Sequence, residues 1–330
     1  MREARQASWA GRFRAGNRGP SRRDFLNVAG GVAAGIACGP DRVLAAEPDF
    51  PRIGILIATT FTTGTLEERL DAVQASGLAC VQMSMVCAGL PELPDEIPAE
   101  IPGRIRREAA ARGIEIASAT GTFNMCHPDV EQRRAGLRRL RVLAEACPRM
   151  GTSFIHICTG TRNPASMWRI HPDNGTPEAW RDMAACVREA ADIARQAKVV
   201  LAFEPEMSNV VDSARKARRL LDEIGSPHLK VTIDPANLFH AGELPRMAEI
   251  LDEAFSLVGK DMVLAHAKDI DRDGEAGHKP AGQGVLDYVR YLRLLRKYEF
   301  KGPLLLHGLS VEQVPGCLAF VRGRMALVPR

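Results

Sequence analysis

Four short apolar runs in the second half of the chain each end in an ionisable side chain: Leu201-Ala202-Phe203-Glu204, Val231-Thr232-Ile233-Asp234, Val263-Leu264-Ala265-His266 and Leu304-Leu305-Leu306-His307. Burying one such group without a partner costs several kcal/mol. A divalent cation shared by Glu204, Asp234, His266 and His307 removes that cost, because it supplies both the missing charge and the missing bonds. The mixed oxygen and nitrogen donors suit Mn²⁺, Zn²⁺, Co²⁺ or Fe²⁺ better than Ca²⁺, so one such ion is the expected cofactor. Taken singly, each residue has an ordinary alternative. Glu204 could cap a helix, His266 could be a hydrogen-bonded core histidine, and Asp234-Pro235 could open a turn. Recurrence at equivalent positions of four consecutive runs favours the shared ion.

Convergence of four strand ends requires strands that lie side by side. From residue 52 the chain alternates between β-rich apolar runs and amphipathic stretches. Strands are expected at 53–58, 80–85, 114–119, 154–158, 199–203, 229–233, 262–267 and 304–306. Their near-continuous hydrophobicity suits strands buried on both faces of a parallel sheet. Helices are expected at 66–76, 98–112, 130–147, 177–197, 212–224, 246–259, 286–298 and 312–325. Thr65, Thr176-Pro177 and Asp212 mark helix starts, and Gly77, Gly113, Gly151 and Gly225 mark stops. Eight strand–helix units predict a single-domain α/β fold, a (β/α)₈ TIM barrel, whose strand C-termini open into the active-site mouth. The alternative is a doubly wound open sheet, but no G-x-G-x-x-G follows the first strand.

The segments Phe203-Glu204-Pro205-Glu206, Ile233-Asp234-Pro235-Ala236-Asn237, His266-Ala267-Lys268-Asp269 and Pro280-Ala281-Gly282-Gln283-Gly284-Val285-Leu286-Asp287-Tyr288 together resemble the xylose isomerase-like TIM barrels. That family holds sugar isomerases and epimerases and also endonuclease-IV-type enzymes. The resemblance spans 52–325. It implies that Glu204, Asp234 and His266 bind one divalent metal. The implied activity is a metal-dependent isomerase or epimerase of a sugar or cyclitol-like polyol-ketone, working by proton transfer through a metal-bound enediolate. A dehydratase or lyase of the same fold, or a non-catalytic periplasmic carbohydrate-binding barrel, is the alternative.

Two departures from the family pattern matter. The eighth strand ends in His307 where the sugar epimerases use a second Glu, which serves as both ligand and base. Asn237 stands where endonuclease-IV-like members have a His that helps hold three zinc ions, although His278 keeps a spacing seen in those enzymes. Glu204, His307 and Lys268 are the expected catalytic residues. For Lys268 a salt bridge to Asp269 is an equal alternative to an enediolate contact. His156, Arg162, Trp168 and Glu206 are the expected substrate contacts, with the loop from Arg162 to Arg169 acting either as a lid or as a contact in a homo-oligomer.

The 330-residue chain is 45% hydrophobic, 25% charged and formally +4, which suits a globular protein and excludes disordered or collagen-like classes. Residues 1–46 carry eight Arg against three acids, leaving 36 basic and 37 acidic groups elsewhere. Nucleic acid is therefore not an expected partner. The basic excess surrounds Ser21-Arg22-Arg23-Asp24-Phe25-Leu26, which resembles the twin-arginine export motif. A Gly/Ala-rich apolar run and the small-residue site Val43-Leu44-Ala45-Ala46 follow it. Residues 1–46 are expected to be a signal read by the Tat export machinery, and 47–330 a periplasmic barrel acting on a small sugar or polyol. The seven Cys beyond it lack C-x-x-C spacing and read mostly as small buried hydrophobes.

Overall fold

The computed structural model describes residues 51–329. The twin-arginine motif, the apolar run and the expected cleavage site lie outside the described residues.

The strands are β1 (Ile53–Leu56), β2 (Cys80–Met83), β3 (Glu115–Thr120), β4 (Phe154–Cys158), β5 (Val200–Glu204), β6 (Leu229–Ile233), β7 (Met262–Asp269), β8 (Lys279–Pro280) and β9 (Leu304–Leu306). All but β8 pair in parallel, in the order β6-β5-β4-β3-β2-β1-β9-β7. A further parallel pairing of β6 with β7 closes the ring, so the sheet is a barrel and not an open doubly wound sheet. The short turn α1 (Ile57–Thr60) follows β1. An outer layer then comprises α2 (Leu66–Ala75), α3 (Glu100–Ala111), α4 (Val130–Met150), α5 (Pro177–Ala197), α6 (Ala214–Ile224), α7 (Met247–Val258), α8 (Tyr288–Lys297) and α9 (Val314–Met325). Among the described residues no helix is long and apolar enough to cross a membrane.

Side chains alternate across a strand, and that period of two sorts the barrel. Ile155, Ile157, Phe203, Ile233 and Ala267 belong to the main apolar core shared with the helices. Their sequence neighbours His156, Cys158, Glu204, Thr232 and His266 are equally buried but belong to no apolar cluster, since they point inward. On the inward faces of β1, β2, β3 and β9 a small separate cluster forms from Leu56, Cys80, Ala117 and Leu305. The seven described Cys are all free and buried.

Local signals set most boundaries. Thr65 and Glu68 form a reciprocal capping box at the start of α2, and Thr176 caps α5 with Pro177 in its first turn. The expected stops Gly77, Gly113, Gly151 and Gly225 all have φ between +63° and +89°. Several boundaries differ from expectation by one or two residues, β1 among them, which ends at Leu56 where a helical turn begins at Ile57; three further differences have a visible cause. The cap of α6 is Ser213, whose hydroxyl accepts from Lys216 N; Asp212 instead pairs with the Lys216 ammonium. Helix α4 continues through Pro148, which sits in its last turn, and stops only at Gly151. Strand β7 runs two residues past its expected end, because β8 pairs antiparallel with Lys268 and Asp269 and extends the ladder.

Candidate metal centre

Glu204 is the last residue of β5, Asp234 follows β6 directly, His266 lies within β7, and His307 follows β9 directly. The closed ring brings these four side chains together. His266 Nδ1 stands 3.6 Å from Glu204 Oε2 and 3.5 Å from Asp234 Oδ2, and His307 Nδ1 stands 3.7 Å from the same Asp234 oxygen. Donor atoms around one ion, with bonds of about 2.1 Å, lie roughly 3 to 4 Å apart, so Asp234, His266 and His307, whose ligand atoms all lie within 4.8 Å of one another, suit a shared cation, and Glu204 adjoins them through His266. Glu204, Asp234 and His266 are buried, whereas His307 is half-buried at the mouth. Both ring nitrogens of His266 and His307 Nδ1 are buried without a hydrogen-bond partner, and Asp234 Oδ2 is met only by the Lys268 ammonium at 3.0 Å. Native interiors seldom leave such atoms unsatisfied, and a divalent ion would satisfy one nitrogen of each imidazole.

Neighbouring groups hold these side chains in place. Asp234 Oδ1 accepts from Ala236 N at 3.0 Å and opens the turn Pro235–Asn237. That turn aims Asn237 Nδ2 at Glu204 Oε1, 2.6 Å away. On β4, His156 Nε2 lies 3.4 Å from Glu204 Oε2, while Nδ1 meets Thr232 Oγ1 at 3.1 Å. Cys158, two residues along the same strand face, joins His156 and Glu204 in a second group whose ligand atoms lie within 4.8 Å of one another. Lys268 Nζ lies 3.0 Å from Asp234 Oδ2. The alternative partner, Asp269, is already occupied: its carboxylate accepts the backbone N–H groups of Ile270, Gly282 and Leu286.

The protonation pattern follows from this crowding. Burial opposes charge on Glu204 and Asp234, but His266 for the first and Lys268 for the second outweigh it, and both carboxyls are held below their ordinary range. Burial also opposes charge on His266, yet Glu204 and Asp234 raise it to about 9. Burial lowers His156 to about 3, and burial with Lys268 lowers His307, so both are neutral imidazoles. Burial, then the Glu204 charge, pushes Glu206 up to about 7.

Beside the four residues, and reached by Glu204 and His307 among them, opens a cavity of about 380 Å³. Glu204, His307, Lys268, His156, Glu206 and Trp168 all line it. Glu206 Oε2 is fixed by Ser208 N at 3.0 Å and Asn209 Nδ2 at 2.8 Å. Trp168 is 53% exposed at the rim. Arg162 is not brought to this cavity: its guanidinium points away to Asp182 at 2.8 Å. His278 lies outside as well and pairs with Asp271. The opposite wall carries Thr59, Gln82, Ser84, Thr120 and Thr122, a hydroxyl and amide surface that sequence reasoning missed. Its one signal was Gln82 and Thr120, polar residues inside β-rich apolar stretches.

Fold and site together define a TIM barrel with a candidate metal-ligand group at the C-terminal mouth. The chain matches the xylose isomerase-like TIM barrel family over residues 70–313 and belongs to that family. No curated protein sequence matches it. Among solved structures it is similar to a 3-keto-D-glucoside 4-epimerase from E. coli, at 16% identity and TM-score 0.63, over 83% of this chain and 99% of the other. It is similar to D-psicose 3-epimerase with D-tagatose from Clostridium cellulolyticum H10, at 15% identity and TM-score 0.63, over 83% and 99%. It is also similar to the IOLI protein with a bound zinc atom, at 15% identity and TM-score 0.66, over 84% and 99%.

Proposed function

We propose that this protein is a divalent-metal-dependent isomerase or epimerase of a neutral sugar or cyclitol-like polyol-ketone. The observation that carries this reading is the buried cluster of Asp234, His266 and His307 beside Glu204, in which the ring nitrogens of His266 and Nδ1 of His307 lack hydrogen-bond partners, next to a cavity that Glu204 and His307 line together with hydroxyl side chains. Family membership and the similar epimerases and zinc-bound structure support it. An ion held by Glu204, Asp234, His266 and His307 would polarise a substrate carbonyl and the hydroxyl beside it, acidifying the carbon-bound proton between them.

The remaining chemistry falls to the chain itself. Glu204 is ionised and pinned by Asn237, so it presents Oε2 as the proton-abstracting base. Glu206, up at about 7, exchanges a proton with solvent or substrate near neutral pH. Lys268 stays charged, because Asp234 and Glu204 outweigh the burial that opposes its charge, and it stabilises negative charge developing on substrate oxygen. His307 takes the place of a second carboxylate as ligand, and Thr59, Gln82, Ser84 and Thr120 bind substrate hydroxyls. Trp168 closes over the sugar ring. The twin-arginine motif supports export of the folded protein to the periplasm by the Tat machinery, with residues 1–46 removed.

The test is exchange of a substrate's α-proton in deuterium oxide across a panel of ketoses and inososes with Mn²⁺ present. Exchange that disappears in Glu204→Gln supports the proposal. Saturable binding without exchange would instead identify a carbohydrate-binding barrel.

A further inference from the structure

The loop 270–287 after β7 is tied down at its base by one carboxylate: Asp269 Oδ1 accepts from Ile270 N and Leu286 N, and Oδ2 from Gly282 N. Its far part rests on the segment that follows β6 at three points. Leu244 N donates to Asp273 Oδ2 at 2.8 Å, Gly274 N to Phe239 O at 3.0 Å, and Gly277 N to Asn237 Oδ1 at 3.0 Å. Only the third contact continues into the metal centre, because the other end of the Asn237 amide donates to Glu204 Oε1 at 2.6 Å. Asn237 is 2% exposed, so both ends of its amide are spent inside the protein.

An amide has one accepting end and one donating end. With Oδ1 taken by the Gly277 N–H, the Nδ2 end must face Glu204; the reversed amide would set oxygen against carboxylate and N–H against N–H. Docking of the loop therefore fixes which way Asn237 points. The fit is close: a Cβ at Gly277 would come within 2.3 Å of Ala236 Cβ, so a larger residue there lifts the loop. The adjacent Ala276 lines the cavity, which puts the same loop in reach of a bound ligand.

We propose that Asn237 is a positioning residue that couples docking of the 270–287 loop to the orientation of Glu204. The inference rests on the metal centre of the preceding section. With the loop docked, Glu204 Oε1 is occupied and Oε2 alone faces His266 and His156, at 3.6 and 3.4 Å. With the loop lifted, the amide is free to rotate and Glu204 loses its fixed donor. Linkage is reciprocal, so a metal ion that needs this orientation of Glu204 must also hold the loop down.

Hydrogen exchange of the 270–287 segment, with and without Mn²⁺, tests the coupling alongside Mn²⁺ affinity measured by chelator competition. Asn237→Ala removes both bonds. Asn237→Asp keeps an acceptor for Gly277 N–H but sets a carboxylate against Glu204. In the unsubstituted protein Mn²⁺ should slow exchange of the loop about fivefold or more, and in both variants that slowing should vanish with affinity down about tenfold. Gly277→Ala, which leaves Asn237 intact and lifts the loop, should lose affinity in the same way, and it decides the matter if the Asn237 variants do not fold. Metal-dependent protection that persists in the variants, with affinity within about twofold, would overturn the coupling and leave the metal centre standing. Absence of Mn²⁺ binding by the unsubstituted protein would overturn both.

Discussion

Metal affinity should rise with pH by close to one proton per ion. Glu204 and Asp234 are held below the ordinary carboxyl range and His307 below the ordinary histidine range, so all three are in their metal-binding forms at pH 7. His266 is the exception: burial opposes its charge, but Glu204 and Asp234 raise it to about 9, and an incoming ion must displace its proton. The two pH units between 7 and about 9 correspond to a roughly hundredfold reduction of apparent affinity at pH 7, or about 2.7 kcal/mol. The logarithm of affinity should therefore climb with a slope near one between pH 6.5 and 8.5 and flatten above about 9. The metal-free fold should respond in the opposite sense. A histidine raised on folding contributes stability that is complete below about 6.5, its unfolded value, and is lost as pH rises through about 9. Competition against a chromophoric chelator at half-unit steps of pH measures the slope. Glu206→Gln serves as the control, since Glu206 titrates at about 7 beside the site. An affinity that is flat or falling over this range would refute the assignment of His266 as a ligand that exchanges a proton for the ion.

Three further outcomes are expected. Glu204→Gln should cut solvent exchange of the substrate α-proton by about 100-fold or more, read by deuterium incorporation. Lys268→Met removes the ammonium 3.0 Å from Asp234 Oδ2; calorimetric titration should show Mn²⁺ binding up to about tenfold tighter while turnover falls, because a competing cation is lost together with a stabiliser of substrate charge. Asp269→Ala orphans the backbone N–H groups of Ile270, Gly282 and Leu286. Urea unfolding of the metal-free protein should show a loss of at least about 3 kcal/mol, at 1–3 kcal/mol for each of the three orphaned donors.

The barrel was legible because each strand is a short apolar run bounded by a glycine stop or a capped helix, and three expected strands, 154–158, 229–233 and 304–306, match the observed ones residue for residue. The ligand group was legible for the same reason: an ionisable residue at the end of an apolar run stands out against its neighbours. What stayed hidden depends on contacts between distant segments. Alternation from His266 turns Lys268 inward to Asp234, but nothing local in the sequence tells that Asp269 is taken up by three loop amides. Arg162 looked like a substrate contact in an irregular loop, but its long side chain finds Asp182, twenty residues on in α5. The polar wall from β1 to β3 was masked because its strand residues Gln82 and Thr120 are uncharged and the strands around them read as ordinary core.

Elemental mass spectrometry of the folded protein, purified without chelator or affinity metal and compared with Asp234→Ala and His266→Ala, tests the central claim most directly. The account predicts about one divalent ion per chain, lost in both variants while the barrel stays folded. A folded protein that holds no ion, even after incubation with Mn²⁺ or Zn²⁺, would contradict it.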